Sequence, residues 1–130
     1  LARPLLQRIA DGPDLTDEEV LACRLLEAEL RDTLRARGLV LPELARAARS
    51  ARARGVEVTM LDDRSPTALS EKVRNDIAAG ASSSLDGAVT GSVTVRLLPP
   101  GRPAAATILL DDLGDGAQRV EYDDSGRILP

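Results

Sequence analysis

The chain has 130 residues, Tyr122 as its one aromatic, no His, one Cys and a net charge of -4. That length fits one domain with an aliphatic core. The missing rings exclude base-stacking platforms, and the missing His and lone Cys exclude His-based triads and multi-Cys zinc sites. Residues 1–61 hold ten basic and ten acidic side chains, so the acid excess begins at Asp62 and no concentrated basic face for nucleic acid forms.

No apolar run approaches the roughly twenty residues of a bilayer span, and no signal-peptide pattern opens the chain. The expectation is a cytoplasmic domain that does not insert into a membrane. Because the chain begins with Leu1, it reads as one domain, 1–130, excised from a larger protein that can itself be membrane-associated.

Leu5, Leu6 and Ile9 after Pro4 suit a short first helix, which Gly12 and Pro13 stop. Thr16 with Glu19 three residues later forms a capping-box pattern. The spacing predicts a helix from there to about Arg37, with Gly38 as a left-handed exit. Its buried stripe reads as Val20, Cys23, Leu26, Leu30 and Leu34, widened by Leu21 and Leu25. This wide face makes the helix the best candidate for self-association, and Cys23 reads as a buried, inert thiol.

Pro42 opens a helix that ends at Gly55, with Leu44, Ala48 and Ala51 on one side, where small residues permit close approach. Arg46, Arg49 and Arg52 step by three and Arg54 follows. They read as a solvated face, or as a contact for phosphates or an acidic partner.

Val56, Val58 and Met60 alternate with polar residues, which predicts a strand. Ser65 and Pro66 read as the cap and first position of a helix over 66–85. Its face is Leu69, Val73, Ile77, Ala81 and Leu85. Strands follow at 92–98, 105–110 and 119–123, with turns at 99–103 and 124–126 and a short return at Ile128–Leu129.

The result is a helical part, 1–54, followed by a β-α-β-β-β part, 55–130. The expected fold class is α/β (α+β): a two-layer sandwich with a mixed sheet of about four strands and helices on one face. Two acid pairs, Asp62–Asp63 and Asp111–Asp112, end predicted strands. If those strands are neighbours, four carboxylates converge on a hard cation such as Mg²⁺; otherwise they are turn formers. Ser82, Ser83 and Ser84 have no general base or elbow motif near them in sequence.

From Leu69 the order is helix, strand, turn, strand, then Asp112-Leu113-Gly114-Asp115-Gly116. That order resembles the middle of the histidine-kinase-type ATP-binding domain shared by sensor kinases and gyrase. There an Asp-x-Gly-x-Gly box reads the adenine amino group. The resemblance assigns that role to Asp112, with Gly114 and Gly116 as the box glycines and ATP with Mg²⁺ as ligand. The family's Glu and its metal-holding Asn, four residues later, fall on Asn75 and Ala79, and only fourteen residues follow Gly116. The resemblance therefore implies a degenerate regulatory relative, from an actinobacterial sensor-like protein, without catalytic residues or a resident cofactor. The functional expectation is a non-catalytic regulatory or protein-interaction module in signalling, with a protein partner or self-association. A small nucleotide-binding domain and a homodimerisation domain are the alternatives.

Overall fold

The computed structural model describes residues 15–64, 69–112 and 116–130. The elements run α1 (Asp17–Arg35), a 3-10 turn (Arg37–Leu39), α2 (Pro42–Ala53), β1 (Glu57–Asp62), α3 (Glu71–Gly87), β2 (Ser92–Leu97), β3 (Ala106–Asp112) and β4 (Gly116–Tyr122). The expected first helix and the Ser65–Pro66 cap lie outside the described residues. Here α3 takes Ser70 as its cap, whose side chain accepts from the Val73 N–H, and begins at Glu71 rather than Pro66.

The sheet order is β1-β2-β3-β4. β1 and β2 are parallel, joined through α3, and β2, β3 and β4 form an antiparallel meander. Period-two alternation explains each strand: the register puts Met60, Val95, Ile108 and Val120 on one side. That side packs against helix residues Leu44, Ala48, Ile77, Ala81 and Leu85 in a common core. The other side carries Thr94, Arg96, Thr107, Arg119 and Glu121, so this face has little need of cover. The protein is thus a small α+β domain, a four-strand mixed sheet with helices packed against it.

The predicted apolar face is buried at Val73, Ile77, Ala81 and Leu85 of α3 and at Leu69, which precedes the cap. On α2, Leu44, Ala47, Ala48 and Ala51 are buried, and small side chains let it pack closely on α3. The short return after the 124–126 turn is one bridge, Tyr122 to Ile128.

Gly38 corrects the expected left-handed exit. The helix ends at Arg35 with Ala36 as its cap, and Gly38 is not among the positive-φ glycines. Close approach explains the glycine instead: its N–H donates to Asp62 Oδ2 at 2.9 Å. An added Cβ would stand 2.8 Å from both that oxygen and Leu97 Cδ1.

Candidate functional site

Two surfaces compete for function: the outer side of α1 and the cleft beside Asp112. The α1 helix starts as the sequence predicts, with the complete Thr16–Glu19 capping box. It faces the other way. Its inward residues are Leu25, Asp32 and, just past its end, Ala36, spaced seven and four apart. At 100° per residue this stripe lies nearly opposite Val20, Cys23, Leu26, Leu30 and Leu34; of the two residues expected to widen that face, Leu25 is buried as expected and Leu21 is exposed.

Val20, Cys23 and Leu26 are half-buried, while Leu30 is 58% and Leu34 75% exposed. The expected burial of Leu30 and Leu34 is therefore overturned, and Cys23 is half-buried rather than enclosed. The physical reason is a buried ion pair. Asp32 turns inward because Arg52 of α2 holds its carboxylate through two hydrogen bonds, and that fixes which side of α1 faces the domain.

The arginines of α2 are not a free face. Arg46 pairs with Asp86 of α3 at 3.2 Å and Arg49 with Glu29 of α1. Arg54 donates to the carbonyls of Leu85 and Ala88 at the end of α3, at 2.7 and 2.9 Å. These side chains clamp α2 to its neighbours, which leaves the phosphate-contact reading without free cations on this helix.

The acid pairs do not converge. β2 lies between β1 and β3. Asp62 is level with Leu97 at one end of β2, and Asp111 is level with Ser92 at the other. Five strand steps separate the two ends, about 17 Å. Asp62 accepts from the N–H groups of Gly38 and Arg64, and Asp63 accepts from Arg96 Nε at 2.6 Å. Among the described residues no group of three or more acidic or thiol side chains is placed to hold a metal ion.

Asp112 is the last residue of β3 and pairs directly with Gly116, the first of β4. The Asp-x-Gly-x-Gly string is therefore the connection of a β-hairpin, and Gly116 takes φ +83°, a conformation suited to glycine. This is why β4 begins three residues before the predicted Arg119. Gly114 lies outside the described residues.

Asp112 borders a cleft of about 160 Å³ with Thr90, Gln118 and the end of α3 at Gly87 and Ala88. Its Oδ1 accepts from the Thr90 hydroxyl at 2.9 Å. Asp111 and Asp112 both line the cleft, and among the described residues no Arg or Lys does. A helix C-terminus adds negative potential. The electrostatics favour a neutral or cationic hydrogen-bond donor and disfavour phosphate.

The chain matches no family model, no curated protein and no solved structure. Among the described residues no helix is long and apolar enough to cross a membrane.

Arg64 is a structural residue that sequence reasoning misses. It is buried, and its guanidinium donates to the Leu98 carbonyl at 3.3 Å and to Asp124 at 3.4 Å. It ties the end of β1 to the end of β2 and to the turn after β4. No local pattern announces such a residue, because both partners are remote in sequence.

Proposed function

We propose that this domain is a non-catalytic protein-interaction module whose working surface is the outer stripe of α1. The observation that carries the reading is the exposure of Leu30 and Leu34 on a helix already anchored by its opposite side. A surface helix normally has one apolar face, turned to the core. Here the C-terminal part of a second one, Leu30 and Leu34, faces water while Val20, Cys23 and Leu26 are half-buried, and adjoining apolar surface of this kind marks interaction sites.

A photo-crosslinking amino acid in place of Leu34, used in cells that make the protein, tests the reading. Protein adducts mapping to α1, absent when the same group replaces Thr94 on the open sheet face, are expected. No adduct from position 34 overturns it, as does turnover of ATP by the purified chain.

A second reading, nucleotide recognition centred on Asp112, is supported by the cleft at that residue. The negative surroundings make the base, rather than the phosphates, the part recognised. Calorimetry with adenosine, ADP and ATP, each with and without Mg²⁺, then shows saturable heat that Asp112→Ala removes. No heat at millimolar ligand ends this reading.

A further inference from the structure

The helix layer reaches past the sheet. α3 packs on β2 and β3, α2 packs on α3 and β1, and α1 packs on α2 and β1. β1 is an edge strand, so α1 flanks the place where a fifth strand would lie.

That edge is only partly closed. On the β2 side, the Glu57 N–H donates to the Gly91 carbonyl and the Asp63 N–H to the Leu97 carbonyl. The backbone groups of Val58 and Met60 therefore point the other way. The Val58 carbonyl accepts from Arg52 Nη2, and the Gly38 N–H on Asp62 closes the far end. The Val58 N–H, the Met60 N–H and the Met60 carbonyl have no partner among the described residues. Open backbone groups at a sheet edge are a template for another strand.

A groove of about 470 Å³ runs beside this edge. Leu21 and Leu25 of α1 and Val56 and Val58 of β1 make its lining aliphatic, and Arg24 and Arg31 stand on its helix wall. Neither arginine has an ion pair among the described residues, whereas Arg52 is already held by Asp32. Glu57 lines the groove from the sheet. Glu27, between the two arginines in sequence, lies about 120° round the helix from Leu21 and is not part of the lining. Asp17 and Glu18 precede the groove along α1, and Arg35 follows it.

We infer that the groove takes an extended segment of a partner protein, added as a fifth strand to the free edge of β1. This goes beyond the outer stripe of α1, because Leu21 lies opposite Leu30 on the helix. In strand addition the backbone bonds supply affinity and alternate side chains supply specificity. Side chains turned towards α1 meet Leu21, Leu25 and the two unpaired arginines, which selects apolar and carboxylate groups. Those turned the other way lie beside Glu57 and Thr59, which disfavours acid. A second copy does not fit. A twofold axis that continued the sheet would bring its α1 into the space of this one.

Selection of random twelve-residue peptides on phage against the 130-residue chain, followed by titration of the enriched peptides, tests this. The expected consensus places apolar or acidic residues at every second position. Methylating one peptide nitrogen at a time is expected to abolish binding with the same period of two, the mark of a paired strand. Arg24→Glu and Arg31→Glu each weaken binding at least fivefold and keep the melting temperature, since both side chains are exposed. Arg119→Glu, on the open sheet face, leaves binding unchanged. Val58→Pro deletes the edge N–H without touching a bond to β2, a change edge strands tolerate, and abolishes binding.

No enriched peptide overturns the inference, a result also expected if residues 1–14 fill the groove. Peptides indifferent to Arg24→Glu and Arg31→Glu, or without the period of two on methylation, overturn it equally. Crosslinks from position 34 survive each of these results, so the outer stripe of α1 stands or falls separately.

Discussion

Arg52 and Asp32 meet two on two: Nη1 donates to Oδ2 at 2.7 Å and Nη2 to Oδ1 at 3.1 Å. Nη2 donates a second time, to the Val58 carbonyl at 2.8 Å. One guanidinium thereby fastens α1, α2 and β1 to one another, and its planar fork suits the task where a lysine would not. With both side chains only 11–12% exposed, neither charge is well solvated if the other is lost. Asp32→Ala is therefore expected to cost about 3 kcal/mol, mostly the penalty of an unpaired buried charge. The double replacement Asp32→Leu with Arg52→Met recovers part of that loss. Urea midpoints for the single and double variants check both, and a double variant less stable than Asp32→Ala contradicts the explanation.

Gly80 sits inside α3, where helix propensity alone favours alanine by about 1 kcal/mol. The Tyr122 ring prevents that gain: a Cβ on Gly80 would lie 1.9 Å from the Tyr122 hydroxyl. Tyr122 is itself buried, so the ring has little freedom to withdraw. Gly80→Ala is expected to destabilise by about 1–3 kcal/mol through overpacking. In a Tyr122→Val background the same change becomes stabilising. Thermal melts of the four proteins read the reversal, and a raised melting temperature for Gly80→Ala in the native background refutes it.

The parts of this fold that the sequence makes legible are those where one periodicity has one meaning. Leu69, Val73, Ile77, Ala81 and Leu85 recur at steps of four with no rival apolar face, and all are buried. The strands follow from alternation in the same way. The α1 helix has two apolar stripes, and periodicity cannot say which faces inward. The choice is made by Asp32, which local pattern reads as a surface residue until Arg52, twenty positions later, supplies its partner. The acid pairs look alike in sequence, yet strand order sends them to opposite ends of the sheet. Asp112 stands out in sequence as half of an acid pair and through the resemblance, and the cleft beside it is not derivable without the end of α3 in place.

Ser82 is buried on α3, and its Oγ has no hydrogen-bond partner among the described residues. A hydroxyl in that position loses its water and regains nothing. Ser82→Ala removes the orphaned oxygen without adding volume, and is expected to stabilise by about 1 kcal/mol. Ser83→Ala, on the exposed side of the same turn, supplies the comparison because it reports helix propensity alone. Denaturant midpoints are expected in the order wild type, Ser83→Ala, Ser82→Ala, from least to most stable. Ser82→Ala falling below wild type would show that the hydroxyl has a bond the packing hides.

Asp123 closes the turn after β4 with one oxygen. Its Oδ1 accepts from the Ser125 hydroxyl at 2.7 Å, the Ser125 N–H at 2.9 Å and the Arg127 N–H at 3.0 Å. The Ser125 hydroxyl first, then the Arg127 N–H, hold this carboxyl below its ordinary value of 3.8. A carboxyl lowered by folding stabilises the native state above its unfolded value, and the contribution disappears as pH falls through the folded one. Asp123→Asn keeps an acceptor in the turn and removes only the charge. Wild type is therefore expected to melt above the variant at pH 7, with the gap closing as the solution is acidified below the ordinary carboxylate range. A gap that widens on acidification would reverse the sign of the linkage and remove the charge from the account of this turn.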